Sequence, residues 1–176
     1  MNSSSKQPQT GLHRDIRSWD GKSADDIHMI FKRHSEMDKF AETLALLLPD
    51  PTYQKGASWL IKQYLENNGL LSPVATKVIC KSVSSLQYWE SRLHVLQCLP
   101  HLTIPAAGKK EVEKFVRHCL LDEVKFVRAW AYFGFYVLAR QHTSLHTEAM
   151  QLLKLGLSDE PASVQARIRK ALAAGF

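Results

Sequence analysis

An uncharged run of eleven residues constrains this chain more than any other feature of its sequence. The run, AWAYFGFYVLA, lies between Arg128 and Arg140. As a helix it presents apolar side chains in every direction, and such a helix has to be covered on all sides. Eleven residues are well short of the roughly 20 that cross a bilayer. The run therefore predicts a helix at the centre of a helical stack, where Trp130→Ala is expected to cost about 3–5 kcal/mol.

Helical periodicity and capping signals continue on both sides of this run. Ser23 and Ser35 precede apolar stripes with i, i+3 and i+4 spacing, and Ser72 and Ser144 open further helical segments. No segment alternates apolar and polar residues over the length of a strand, so no sheet is predicted. The predicted helices span 24–34, 36–48, 52–66, 73–83, 86–99, 109–121, 123–141, 145–157 and 161–174.

The predicted helices form pairs that recur at a nearly constant interval. The first helix of each pair begins near residue 36, 73, 109 or 144, a period of about 36 residues. Paired helices at such a period indicate a solenoid, because each pair covers its apolar face only by stacking on its neighbours. The predicted fold is an all-α superhelix of about four hairpins with one helix before them. Residues 23–176 form this repeat domain, and residues 1–22 are expected to be a disordered arm.

A common spacing of residues recurs in the second helices of the later pairs. One copy consists of Asp122, Val127, Arg128, Ala131 and Phe135. A second copy, with glutamine at the arginine position, consists of Asp159, Pro161, Val164, Gln165, Ile168 and Leu172. This spacing resembles the second helix of a HEAT repeat, and the resemblance covers about residues 36–174. It implies a HEAT-like helical repeat fold and carries no information about activity.

Composition and charge restrict the classes of function. A hydrophobic content of 45% with 23% charged residues is ordinary for a globular protein, and a cytoplasmic one is expected. The N-terminus lacks the apolar segment of a signal peptide. The net charge of +6 is spread along the chain without a Lys/Arg-rich run, so it permits nucleic-acid binding without indicating it. Cys80, Cys98 and Cys119 lie among apolar residues and are expected to be buried thiols.

Motifs of catalytic and cofactor chemistry are absent from the sequence. The chain has no HExxH, GxSxG, Walker or GxGxxG motif, so neither a catalytic residue nor a cofactor is assigned. His142 and His146 have the i, i+4 spacing of a helical metal site. The dipeptide Thr143-Ser144 between them predicts a helix start, which would separate the two imidazoles, and no metal is assigned.

The second helices of a solenoid of this kind are expected to line its concave face. The candidate binding residues on that face are Lys55, Arg92, Arg128, Tyr132 and Arg167. Such a surface suits an acidic protein or peptide segment, so the expected function is a non-enzymatic binding or scaffold module that does not enter a membrane. For Arg128 the favoured interpretation is an ion-pair ladder between repeats, with Asp122 or Asp159 as its partner.

Aromatic residues of the central helix divide between two faces. Phe126, Trp130 and Phe133 share one face, and the other carries Tyr132, Phe135 and Tyr136. Core packing is the favoured role for both faces, and exposed binding anchors are the alternative.

Nucleic acid is the alternative partner, because the chain is also similar to the HEAT-like alkylpurine DNA glycosylases. Those enzymes are basic helical stacks that use tryptophan, arginine and an acidic residue. The candidates here are Trp89, Arg92, Arg128 and Trp130. No residue of this shorter chain aligns with the catalytic aspartate of that family, so the binding module remains the preferred expectation.

Overall fold

The computed structural model describes residues 11–175, and every regular element in that range is helical. Three short 3-10 segments, at Val83–Ser85, Leu99–His101 and Thr143–Leu145, join longer helices. The α-helices are α1 (Gly11–Ser18), α2 (Ala24–His34), α3 (Phe40–Leu47), α4 (Pro51–Glu66), α5 (Pro73–Ser82), α6 (Trp89–Cys98), α7 (Ala106–Cys119), α8 (Lys125–Gln141), α9 (His146–Asp159) and α10 (Ala162–Ala174).

Four helical hairpins, α3–α4, α5–α6, α7–α8 and α9–α10, stack in chain order. The second helices form one layer, in which α4 packs on α6, α6 on α8 and α8 on α10. In the other layer α3 packs on α5, and α5 on α7. Because packing runs mainly between adjacent hairpins, the architecture is that of a solenoid. The predicted all-α superhelix of four hairpins is confirmed.

The repeat is most regular in the second helices. They begin at Pro51, Trp89, Lys125 and Ala162, at intervals of 38, 36 and 37 residues. The first helices are less evenly spaced, at intervals of 33, 33 and 40 residues. A position counted from the start of a second helix therefore has a direct counterpart in each of the other three.

Two of the four predicted serine caps are formed. The Ser23 and Ser72 hydroxyls each accept a hydrogen bond of 3.2 Å from the backbone N–H three residues further on. Ser35 instead ends α2, and α3 begins after Lys39, whose φ of 57° is left-handed. Ser144 lies within a 3-10 segment before α9. Both errors fall at tight connections between helices, where the chain turns before the apolar stripe begins.

Part of the predicted disordered arm is a helix in the structure. Residues 11–18 form α1, whose Leu12 and Ile16 side chains are fully and almost fully buried. Because α1 packs on α2 and α4, two helices precede the four hairpins instead of the predicted one. Residues 1–10 of the predicted arm lie outside the described residues.

The central helix α8 is only partly covered along one side. It packs against α6, α7, α9 and α10, which together bury residues such as Val127, Phe135 and Leu138. Phe126 is nevertheless 55% exposed, and Trp130 is only half-buried. Phe126 lies outside the run between Arg128 and Arg140, in which nine residues are buried and Trp130 and Phe133 are half-buried. The predicted covering of the run is therefore nearly complete, and it is partial only at these two rings. Across residues 11–175, no helix is both long and apolar enough to cross a membrane.

Candidate functional site

The fourth residue of each second helix binds the loop before its own helix, and in the first three hairpins it also joins its hairpin to the next one. In α6 and α8 this residue is Arg92 or Arg128. Each guanidinium donates to a backbone carbonyl of the loop before its own helix, Arg92 to Gln87 at 3.0 Å and Arg128 to Asp122 at 2.9 Å. Both arginines also bind a carboxylate that precedes the next second helix, as described next.

These inter-hairpin ion pairs are short and shielded from solvent. Arg92 lies 2.8 Å from the Asp122 carboxylate, and Arg128 lies 2.9 Å from that of Glu160. The hydrogen bond from Arg128 to Glu160, together with the charge of that carboxylate, raises the pKa of Arg128 despite the opposing effect of burial. Both guanidinium groups are thus bound within the protein fold.

Glutamine occupies the same position in the first and last hairpins. The Gln54 amide donates to the carbonyls of Leu48 and Ser85, each at 3.0 Å, and accepts from the Gln87 N–H at 2.7 Å. Gln165 donates to the Glu160 carbonyl at 2.7 Å. We call the four residues Gln54, Arg92, Arg128 and Gln165 the repeat ladder. The predicted ladder exists, but the carboxylate partner of Arg128 is Glu160, and the prediction of Asp122 or Asp159 is wrong.

Two further predicted site residues also have structural partners. Lys55 binds the Glu90 carboxylate at 2.8 Å and lies 4.8 Å from the centre of the Tyr88 ring. Burial raises the pKa of Glu90, but the hydrogen bond and charge of Lys55, a backbone hydrogen bond and the nearby His94 together leave that pKa lowered. Tyr132 is 9% exposed, and its ring packs close to Gly156 of α9. Lys55 and Tyr132 are therefore engaged between hairpins, as Arg92 and Arg128 are.

The partly covered side of α8 carries three aromatic side chains in a row. We call Phe126, Trp130 and Phe133 the open face. The Trp130 and Phe133 rings meet edge to face with centres 5.8 Å apart. The other predicted aromatic face, at Tyr132, Phe135 and Tyr136, is buried. Core packing is thus correct for one aromatic face, and partial exposure applies to the other.

Arg167 is the predicted site residue that lies on the open face. Its guanidinium carbon sits 3.8 Å above the centre of the Trp130 ring and 5.8 Å from that of Phe133. Partial burial lowers the pKa of this guanidinium. Among residues 11–175 it has no ion-pair or hydrogen-bond partner. Arg167 therefore presents unoccupied N–H donors beside an aromatic surface.

A pocket of about 660 Å³ extends from Phe133 towards the end of α8. Its wall includes His101, Thr103 and Arg140, and the Arg140 guanidinium lies 6.0 Å from the centre of the Tyr136 ring. The Gln141 amide holds the wall by binding the backbone of residues 102 and 104. Among the described residues, no carboxylate side chain lines the pocket. The site is therefore aromatic, with cationic side chains at its edge.

Two of the four residues predicted by resemblance to the glycosylases, Trp89 and Arg92, line one pocket together with Asp122, whereas Arg128 and Trp130 are not among its lining residues. Arg92 and Arg128 belong to the repeat ladder, and Trp89 is 40% exposed at the start of α6. Of the four, Trp130 lies on the open face.

The three cysteines are buried free thiols, as predicted, and burial raises the pKa of Cys119 to about 12. Within the described part of the chain, no His, Cys, Asp and Glu residues group in a way that would hold a metal ion.

The sequence predicts core packing for Phe126 and Phe133, with binding anchors only as the alternative, and Arg140 is not among the candidate binding residues. A usable signal was present, because Phe126, Trp130 and Phe133 have the spacing of one helical face. Burial of that face depends on which helices cover α8, and the local sequence pattern does not contain this information.

Comparisons of the chain with protein-family models, curated proteins and solved structures found no match.

Proposed function

We propose that this protein is a non-enzymatic binding module that recognises a protein segment on the open face of α8. The observation that carries the proposal is an aromatic row, made of the exposed Phe126 and the half-buried Trp130 and Phe133, beside Arg167, which has no ion-pair partner among residues 11–175. Large aromatic rings next to arginine are the side chains that contribute most to protein interfaces. The engagement of Arg92 and Arg128 in the repeat ladder supports this function over the glycosylase alternative, which would use both arginines.

An acidic segment is the preferred partner for this surface. Arg167 and Arg140 border the aromatic residues, and within residues 11–175 no carboxylate side chain lines the adjoining pocket. An acidic ligand would therefore meet complementary charge without displacing an existing ion pair. The ligand's apolar groups would contribute the larger part of the affinity by covering the open face.

A peptide-display selection against the immobilised protein tests the proposal. The control is the double variant Phe126→Ser, Phe133→Ser, checked for native helicity by circular dichroism. We expect enriched peptides to bind the wild type at least 10-fold more tightly than this variant. Enrichment of no peptide, or equal binding to both proteins, would contradict the proposal.

Titration with a 20-base-pair DNA duplex and a single-stranded oligonucleotide tests nucleic acid as the alternative partner. Binding that is carried by phosphate contacts weakens by orders of magnitude between low and physiological salt, because counterions are released. We expect no saturable binding of either nucleic acid at physiological salt. Tight binding with a steep salt dependence would favour nucleic acid as the partner.

A further inference from the structure

We infer that the segment bound on the open face is a short amphipathic helix with acidic residues on its flanks. This inference rests on the proposed function and adds the conformation and charge of the ligand. It is drawn from the way in which the chain covers the corresponding face of α4 with its own N-terminal helices.

The repeat ladder fixes which residues of α4 correspond to the open face of α8. Counted from Gln54 and Arg128, Gly56 of α4 is the counterpart of Trp130, and Trp59 is the counterpart of Phe133. In α10 the counterpart of Trp130 is Arg167. The same helical face therefore carries different side chains in successive second helices.

On α4 this face is occupied by α1 and α2. Ile16 packs so closely on Gly56 that a Cβ added there would lie 2.6 Å from the Ile16 Cγ2 atom. The Trp19 ring lies 3.6 Å from the same point, and the His28 ring meets the Trp59 ring edge-on at 4.7 Å. A helical segment therefore already binds this face once within the molecule.

The bound helix α1 is short and amphipathic. It has eight residues, and its two buried side chains, Leu12 and Ile16, are one helical turn apart. Its Arg14 and Arg17 side chains remain exposed. Eight residues extend for about 12 Å. The open face of α8 covers seven residue steps, about 10 Å by the same rise, so a helix of similar length fits it.

The open face of α8 differs from its α4 counterpart in two respects that define its ligand. Trp130 occupies the position where Gly56 lets Ile16 approach the backbone, so the ligand's apolar side chains would contact aromatic rings. Arg167 and Arg140 lie at the two ends of the Phe133–Tyr136 ring pair, whose centres are 5.6 Å apart. Carboxylates on both flanks of a bound helix would match these two cations.

Stacking on Trp130 prepares Arg167 for this role. Cation–π attraction holds the guanidinium carbon 3.8 Å above the centre of the ring, and the planar set of N–H groups around that carbon suits two-point binding of a carboxylate. Neither Arg167 nor Arg140 has a carboxylate partner among residues 11–175, so no ion pair within that part of the chain has to break on binding.

The peptides enriched by display selection test the inference directly. We expect them to be acidic, to carry apolar residues at i, i+4 spacing and to gain helical circular dichroism when bound. Replacing a residue between the two apolar positions with proline should reduce affinity at least 10-fold, because proline breaks the helix. Arg167→Gln and Arg140→Gln should each reduce affinity about 5- to 20-fold, whereas Arg169→Gln, on the same helix as Arg167, should leave it within 2-fold.

Different results overturn different statements. If the enriched peptides are extended, basic or insensitive to proline, the helical acidic ligand is wrong and the proposed binding function stands. Insensitivity of their affinity to both arginine variants likewise overturns the acidic ligand. If no peptide distinguishes the wild type from the open-face double variant, the proposed function itself fails.

Discussion

Single side chains at the fourth position of the second helices perform two structural tasks. Arg128 satisfies a carbonyl of the loop before α8 and binds Glu160 before α10. Gln165 performs the first of these tasks in the last hairpin, with the same loop-to-helix bond of 2.7 Å. Glutamine can therefore replace arginine in the hydrogen bond to the loop carbonyl, but it cannot form the ion pair with the next hairpin.

The two tasks predict graded losses for Arg128 variants. We expect Arg128→Ala to lower the free energy of unfolding by about 2–3 kcal/mol, since it leaves a carbonyl and the Glu160 carboxylate without a partner. Arg128→Gln should cost about 1–2 kcal/mol because an amide can retain the carbonyl bond. Chemical denaturation provides the measurement, and Lys170→Ala on the exposed surface of α10 is the control, with a change below about 0.5 kcal/mol. Equal losses for the two Arg128 variants would argue against separate tasks.

His94 predicts a dependence of stability on pH. Burial and the nearby Lys62 lower its pKa to about 4, whereas in the unfolded chain it titrates near 6.5. Between these values the unfolded state takes up a proton that the folded state does not. The free energy of unfolding therefore falls as pH drops from about 6.5 to 4, by up to about 3 kcal/mol.

Comparison of His94→Gln with the wild type isolates this contribution. Denaturation at pH 7, 6, 5 and 4.5 should show a shallower loss of stability for the variant. The control is His101→Gln, because His101 is exposed at the end of the 3-10 segment that follows α6. Parallel pH profiles for the wild type and His94→Gln would mean that His94 titrates alike in both states.

At the scale of elements, the two sides of α8 predict opposite sensitivities to truncation. Phe135 is completely buried between hairpins, so Phe135→Ala should cost about 3–5 kcal/mol. Trp130 is half-buried and packs on Phe133 and Arg167, so we expect Trp130→Ala to cost only about 1–2 kcal/mol. This value replaces the larger loss that the apolar run alone predicts. Denaturant unfolding of both variants decides the matter, and equal losses would mean that the open face is buried in solution.

The sequence predicts helices better than it predicts what covers them. Period and capping signals are local, so the helices after Ser23 and Ser72 begin where expected. Helix α1 escaped prediction because Leu12 and Ile16 provide only one turn of apolar spacing, and α4 supplies the rest of its environment. The partner of Arg128 was missed for a similar reason. Asp159 and Glu160 are adjacent, and the start of α10 determines which of them reaches the guanidinium.

At the scale of the molecule, stability is distributed over links between neighbouring hairpins. Gln54 joins the first hairpin to the loop before α6, Arg92 joins the second to Asp122, and Arg128 joins the third to Glu160. A stack with contacts of this kind opens from its ends, because a terminal hairpin loses only one interface. Weakening one link should therefore lower the local stability mainly of the hairpins between that link and the nearer end of the stack.

Native-state hydrogen exchange of Arg128→Ala tests this locality. The variant weakens the interface that holds α9 and α10, so amides of these helices should lose about 2–3 kcal/mol of protection, equal to the loss of that link. Amides of α2 and α3 should change by less than about 0.5 kcal/mol, because they exchange by opening at the other end of the stack. Arg92→Ala, one link nearer the N-terminus, serves as the comparison and should extend the weakened region to α7 and α8. A uniform loss of protection from α2 to α10 would instead show that the four hairpins unfold only as one unit.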